Sequence, residues 1–242
     1  MEIPKSTIQD LPEETIAVLA ALSFAISEVN ALWRIYDSCK FRTTGNEDVD
    51  SAISIQQNLV LRIWSAKIFE LAVKLDCEIN DAALKGFLES AKEKLLEGEE
   101  QSLKSIIGNF RHEATNHLNV GHIKKKRLGH VSTAATTSFY FDEREANSFF
   151  PFGEEVVFAA CFNRTVGQRK TEERLPAFAD WLSWIIRASK ALMPLFDKFL
   201  QEFVFKGREQ PSWQWIELEL EPGMVAGAGD QKVPLIIVED AI

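Results

Sequence analysis

The sequence predicts a mostly all-α protein: an antiparallel bundle of four to five long helices with a small C-terminal β-hairpin. Apolar residues recur at spacings of three and four over most of the chain, as on one face of an α-helix. The composition, 242 residues with 46% hydrophobic and 26% charged, is that of a folded globular protein. Strict alternation near the C-terminus is typical of strands. We therefore expect a helical bundle over 1–207 and a hairpin appendage over 208–242.

The first two predicted helices carry long apolar stripes. Thr15, or the acidic residues around it, is a candidate N-cap for the first helix. Gly45 and Asn46 end the connection to a second helix, which we expect from about Asp50 to Leu75. The stripes are Leu19, Leu22, Ile26, Val29, Trp33 and Tyr36 in the first helix, and Leu61, Trp64, Ile68, Leu71 and Leu75 in the second.

A shorter third helix and a fourth helix follow. Asn80-Asp81 is typical of a turn or N-cap before the third helix, and Gly98 is expected to stop it. The fourth helix is expected to end near Gly121. Their apolar stripes are Leu84, Leu88, Ala91 and Leu95 in the third, and Leu103, Ile106, Ile107, Phe110, Ala114 and Leu118 in the fourth.

The last long helix is predicted over the stripe Phe178, Trp181, Ile185, Ala188, Leu192, Leu195 and Phe199. Pro176 suits its first turn, and Pro194 predicts a kink or a break inside it. Before this helix, residues 154–163 fit a short helix or a buried strand equally well. After it, residues 213–220 and 233–238 are the two strands of the expected hairpin.

The composition excludes several classes of protein. Cys39, Cys77 and Cys161 are odd in number and form no CxxC pair, which argues against a disulfide framework and a thiolate zinc site. The first 14 residues are acidic, unlike a signal peptide. The most apolar run, 16–26, is shorter than the ~20 residues of a membrane span. We expect a cytoplasmic protein with no membrane partner.

All four histidines lie within 19 consecutive residues, at His112, His117, His122 and His130. On a helical wheel with Arg111 at 0°, the stripe of the fourth helix falls between about −140° and −20°, and His117 falls inside it at about −120°. His112 and Asn116 point away from the stripe, at about 100° and 140°. Arg111 and His117 therefore flank one helix face that is expected to pack against something.

Three interpretations of this face remain open. A zinc site of the HExxH type needs histidines four residues apart on one face, whereas these are five apart, so no metal ligands are expected. Alternatively, His117 is a buried core group and Arg111 pairs with a carboxylate. The third interpretation is RNA cleavage without metal or other cofactor: a histidine moves the proton of a ribose 2′-OH or of the leaving oxygen, and an arginine stabilises the phosphorane.

A basic run, Lys124, Lys125, Lys126 and Arg127, follows this helix. The segment 104–130 has six Lys or Arg and one Glu, a net charge of +5 in a chain of −9, which leaves −14 for the remainder. A local positive patch on an acidic protein fits a contact with nucleic acid. The alternative is a solvated loop.

These residues resemble the HEPN superfamily, whose signature is an Arg, four to six residues and a His in a late helix of a bundle. Over about residues 13–205, the helix order is most similar to the abortive-infection U-type HEPN proteins. The resemblance implies a homodimeric, metal-independent endoribonuclease of phage defence or toxin–antitoxin systems, with an antitoxin or regulatory protein as a partner. It implies that Arg111 and His117 are catalytic, that His112 or Asn116 assists, and that the basic run binds RNA. Some members of the superfamily are inactive, so the alternative is a catalytically inactive helical bundle that dimerises or binds a partner protein.

Overall fold

The structure is a computed structural model that describes residues 3–38, 44–74, 79–97, 107–108, 120, 131, 137–141, 148–159 and 171–208. Of these residues 81% are helical and none lies in a strand, which confirms the mostly helical prediction. The hairpin predicted over 213–238 lies outside the described residues and has no support from the structure.

Six α-helices and two π-helical segments are defined within these ranges. The α-helices are α1 (Lys5–Gln9), α2 (Glu13–Ser38), α3 (Glu47–Lys74), α4 (Ala82–Leu95), α5 (Pro151–Gly153) and α6 (Thr171–Phe199). The first π-helix, Glu154–Ala159, continues from α5, and the second, Leu200–Val204, continues from α6. Residues 154–159 are thus helical, which resolves the choice between helix and strand for this part of 154–163.

Helix α4 shows how local sequence sets its boundaries. Asp81 is extended, and its carboxylate accepts a hydrogen bond of 2.8 Å from the backbone N–H of Leu84, as an N-cap does. Lys92 and Lys94 lie in the last turn, where positive charge opposes the negative end of the helix dipole. The predicted N-cap at Asn80-Asp81 is confirmed.

The predicted stripes form the core. Described stripe residues of α2, α3, α4 and α6 are buried, except that Trp33 and Phe178 are half-buried. Trp33 still contributes, because its ring centroid lies 5.5 Å from that of Trp64, which is fully buried. Leu75, the last stripe residue predicted for α3, lies outside the described residues.

The first-turn position of Pro176 and the break at Pro194 need correction, whereas the kink that was the alternative at Pro194 stays a prediction. Helix α6 begins at Thr171, so Pro176 is its sixth residue and does not lie in the first turn. The helix also continues past Pro194 to Phe199 without a break. Pro194 cannot donate to the carbonyl of Lys190, but both residues lie on the exposed face, where water can satisfy that carbonyl.

The chain divides into two compact units, each assembled from three separate segments. Unit 1 comprises Met1–Ala31, Lys67–Gly98 and Trp184–Val225, and unit 2 comprises Leu32–Ala66, Glu99–Ser183 and Ala226–Ile242. The boundaries fall inside α2, α3 and α6. The proposed boundary between 1–207 and 208–242 stays a prediction, because residues from 209 onward are outside the described part of the chain.

Helix α2 is unusually apolar. Its span Glu13–Asp37 has a mean hydropathy of 1.7 in its most apolar stretch, and 33% of that stretch is buried. By length and composition it could cross a membrane, but the core helix of a soluble protein or an N-terminal signal sequence meets the same criterion. The expected cytoplasmic location stays a prediction.

Candidate functional site

The predicted site residues lie outside the described part of the chain. They are Arg111, His112, Asn116, His117, Lys124, Lys125, Lys126 and Arg127. Their mutual distances and contacts therefore stay predictions.

The structure describes two helical positions on either side of the predicted motif, Ile107 and Val120. Ile107 is helical and fully buried, as expected for a stripe residue at about −40° from Arg111. Val120 is helical and 75% exposed, and on the same wheel it lies at about 180°. Residues 109–119 between them lie outside the described part of the chain, so the direction in which Arg111 and His117 face stays a prediction.

Arg62 and Glu154 form a polar constellation that the sequence reasoning missed. Arg62 lies on α3, is only 8% exposed, and donates from a terminal nitrogen to Oε1 of Glu154 at 3.3 Å. Glu154 is the first residue of the first π-helix. The pair is thus an ion pair between two elements of unit 2, with side chains 10% and 22% exposed.

One aromatic ring lies against this pair, and a second ring packs behind it. The guanidinium carbon of Arg62 lies 5.1 Å from the ring centroid of Phe158, four residues after Glu154. The Phe158 ring lies 6.0 Å from that of Trp181, which is fully buried. Since rings exclude water, the pair lies in a medium where charges interact strongly and where an unpaired charge is costly.

The pair can orient helices but cannot by itself cleave a bond. Among the described residues, no acceptor takes the Nε–H of Arg62, and the Glu154 carboxylate is held by Arg62 in an ion pair, with no histidine or thiol in the pair. In the same part of the chain, no three His, Cys, Asp or Glu side chains are grouped as metal ligands would be. The sequence does mark Arg62 as unusual, because it is the one charged residue within the apolar run 59–64, where a buried charge is expected to need a partner.

A second feature is the phenylalanine face, formed by Phe139, Phe141, Phe150 and Phe152. An antiparallel bridge creates it: the backbone N–H of Tyr140 donates to Phe149 O at 2.9 Å, and the N–H of Phe149 donates to Tyr140 O at 3.0 Å. The rings of this bridging pair stack at 4.5 Å. Because side chains alternate along extended backbone, Phe139, Phe141 and Phe150 project from the other side, and Phe152 of α5 adds a fourth ring.

The rings of the phenylalanine face contact each other, and three of the four are exposed while Phe152 is half-buried. Ring centroids lie 5.3 Å apart for Phe141 and Phe150, and 5.4 Å apart for Phe139 and Phe152. The exposed fractions of Phe139, Phe141 and Phe150 are 52%, 79% and 43%. Large exposed apolar groups that adjoin one another mark interaction surfaces more often than isolated ones do.

Comparison with known proteins identifies no family for the chain, because it matches no family model, no curated protein and no solved structure. The HEPN resemblance therefore depends on the residues of this chain alone.

Proposed function

We propose that the protein is a HEPN-like, metal-independent endoribonuclease that acts as a homodimer. The observation that carries the proposal is the spacing of Arg111 and His117, with five residues between them, on one face of a predicted helix. Ile107, which the helical wheel places on the same apolar stripe as His117, is fully buried.

The proposed chemistry needs only the side chains of two subunits. One His117 removes the proton of a ribose 2′-OH, and that oxygen attacks the adjacent phosphorus. Arg111 stabilises the negative charge of the phosphorane, because a guanidinium binds two phosphate oxygens at once. The 5′-oxygen leaves with a proton from the His117 of the second subunit, which gives a 2′,3′-cyclic phosphate and a 5′-hydroxyl. His112 or Asn116 would orient the RNA or Arg111.

Substrate binding is assigned to the basic run Lys124, Lys125, Lys126 and Arg127. Its four positive charges would contact the phosphate backbone, which makes binding weaker as salt concentration rises. A ribonuclease of this kind fits a role in phage defence or in a toxin–antitoxin pair, where an antitoxin or regulatory protein restrains it.

The direct test is RNA cleavage in EDTA by the wild type and by His117→Ala. Loss of general acid–base catalysis is expected to lower the rate by about 10²–10⁴. Arg111→Ala is expected to lower it by roughly 10²–10³. His130→Ala is the matched control, because it removes a histidine of the same cluster but outside the motif. Cleavage that persists at the wild-type rate in His117→Ala contradicts the proposal.

A second candidate function is a catalytically inactive helical protein that dimerises or binds a partner. Exposed apolar side chains favour it, notably Phe24 at 64% and Phe141 at 79% exposure. Absence of cleavage by the wild type, together with a stable dimer in sedimentation equilibrium, is the result expected from this function.

A further inference from the structure

We infer that the outward face of α2 packs against the same face of a second copy of this chain, with the two helices antiparallel. The inference goes beyond the proposed ribonuclease and does not depend on it, because the resemblance to HEPN proteins would pair the helices that carry Arg111 and His117. None of the residues that form this surface, called the α2 face, is buried. They are Glu13, Ala17, Ala20, Phe24, Glu28, Ala31 and Ile35.

Helix α2 is apolar on two sides, and the core covers only one of them. Val18, Leu22 and Val29 are buried, whereas Phe24 is 64% exposed and Ile35 is 45% exposed. Only 33% of the most apolar stretch of the helix is buried. A helix that is apolar all round is expected to be covered all round. The α2 face is therefore expected to pack against a further apolar surface.

The spacing of the α2 face is that of a coiled-coil seam. Ala17, Phe24 and Ala31 are seven residues apart. Ala20 and Ile35 lie three or four residues from the nearest of them. A seam with this repeat faces a partner helix along its length, and small alanine side chains let the two helix axes approach closely. A second helix is thus the form of partner that fits this face.

The charges at the two ends of the α2 face select an antiparallel second copy. With Phe24 at the twofold axis, Ala17 of each copy lies opposite Ala31 of the other, because each is seven residues from Phe24. Arg34 lies ten residues after Phe24 and Glu13 eleven residues before it, so the two meet at both ends of the pair. Arg34 and Glu13 are exposed and fall on the same side of the helical wheel, at about −80° and −20° from Phe24. A parallel pair would instead bring like charges together.

The contacts of α2 argue against a lipid bilayer as the occupant. Glu28, in the middle of the α2 face, pairs with Lys67 at 2.9 Å, and the Lys67 ammonium lies 6.0 Å from the ring centroid of Phe24. Charged groups are costly in hydrocarbon, whereas half-exposed ion pairs are tolerated at protein surfaces. The Glu14 carboxylate also accepts hydrogen bonds from the backbone N–H groups that precede α4, and these would be lost if α2 left the fold to cross a membrane.

Exchange of the end charges tests the antiparallel pairing by sedimentation equilibrium. Arg34→Glu and Glu13→Arg each bring like charges together at both ends of the pair, so each is expected to raise the dimer dissociation constant about tenfold. An equimolar mixture of the two variants should associate as the wild type does, because each end of the mixed dimer again joins opposite charges. Damage to the fold of either variant would not be repaired by mixing.

Phe24→Ser tests the centre of the pair. One ring is lost from each copy, so the dissociation constant is expected to rise by about 10²-fold or more. Leu59→Ser is the matched control, because Leu59 is 49% exposed on α3 and does not belong to the α2 face. This control should leave the dissociation constant unchanged.

Three results would contradict the inference. The first is a monomeric wild type. The second is an oligomer whose mass neither Phe24→Ser nor Arg34→Glu lowers, because the copies would then associate through another surface. The third is loss of co-sedimentation with phosphatidylcholine vesicles in Phe24→Ser without a change in protein mass, which would make the α2 face a lipid contact. RNA cleavage by the same proteins tests the proposed ribonuclease separately.

Discussion

The two units hold their helices together with different polar junctions. In unit 1, side chains from α2 and α6 bind backbone groups at both ends of α4. In unit 2, α3 and the first π-helix are joined by the charge pair Arg62–Glu154. The first junction uses several hydrogen bonds to main-chain atoms, whereas the second depends on two charges removed from water.

The junction at α4 pairs backbone groups at, and just beyond, the two ends of the helix. At its N-terminal end, the Glu14 carboxylate accepts from the backbone N–H groups of Asn80 at 3.0 Å and Asp81 at 2.9 Å. At its C-terminal end, the Trp184 indole N–H donates to Leu95 O at 3.0 Å, and Arg187 donates to Glu97 O at 2.7 Å. Orphan donors and acceptors at both ends are thus paired by tertiary contacts.

The comparison teaches that burial, more than the number of bonds, decides how severe a single loss is. If the Glu14 carboxylate is removed, water can bind the exposed backbone N–H groups of Asn80 and Asp81. It cannot do so for Arg62, so each charge of the buried pair depends on the other. Four substitutions test this difference, ordered here from the largest expected effect to the smallest.

Glu154→Ala is expected to have the largest effect, because it leaves the Arg62 guanidinium buried without its counter-charge. Removing one partner of a buried pair costs about 3–5 kcal/mol, and the 22% exposure of Glu154 places this case near 3 kcal/mol. Urea denaturation followed by circular dichroism measures the loss. The double variant Arg62→Met/Glu154→Leu should recover most of it. Glu202→Ala, which breaks the exposed pair with Lys198, is the control and should cost under about 1 kcal/mol.

Trp184→Phe is expected to lower stability by about 2 kcal/mol. The fully buried indole loses its N–H donor, and the carbonyl of Leu95 is left unsatisfied. Arg187→Met removes the neighbouring donor to the same helix end at an exposed site and should cost less. If the two variants unfold at the same urea concentration, burial is not the deciding factor.

Asp81→Ala removes the N-cap of α4 and is expected to cost about 1 kcal/mol. Asp81→Asn keeps a side-chain oxygen that can accept from Leu84 and should behave like the wild type. Thermal melting of the three proteins separates the hydrogen bond from the charge. Equal losses for alanine and asparagine would show that the carboxylate acts by charge alone.

Acidification tests the Glu14 junction and gives the smallest effect. Hydrogen bonds from the Asp81 and Asn80 backbones, and then from the Asn80 side chain, lower the pKa of Glu14 below its ordinary 4.5. The unfolded chain therefore binds this proton first on acidification, so the stabilisation is fully present above pH 4.5 and is lost as pH falls through the lower folded pKa. Glu14→Gln should show a shallower loss of stability below pH 4.5 than the wild type. If the stability of the wild type and of Glu14→Gln falls equally with pH, the hydrogen bonds to Glu14 do not stabilise the fold.

Features encoded in nearby residues could be predicted from the sequence. The cap at Asp81 and the stripes of the long helices depend on spacing alone, and they lie where expected. The partner of Arg62 is 92 residues away in the chain, so no local pattern identifies it. The two π-helices differ from α-helix by one residue in hydrogen-bond register, a difference that apolar spacing does not reveal. The Arg111–His117 site stays a prediction of spacing and resemblance.

The expectation that Pro194 breaks the last helix came from the residue type alone, without regard to the helix face on which it lies. A proline inside a helix predicts disruption, yet whether it disrupts depends on what the carbonyl four residues earlier faces. Here Lys190 and Pro194 share the exposed face of α6, and both lie off the apolar stripe that the sequence predicts.

The assembly of unit 1 from three separate segments has a consequence for its synthesis. Trp184 reaches Leu95 across 89 residues, and Arg208 donates to Thr7 O across 201 residues. On a ribosome that adds about 5–20 residues per second, the N-terminal helices emerge many seconds before the segment that completes their core. During that interval α2 exposes its apolar stripe, and chaperone binding to that stripe would protect the nascent chain from aggregation.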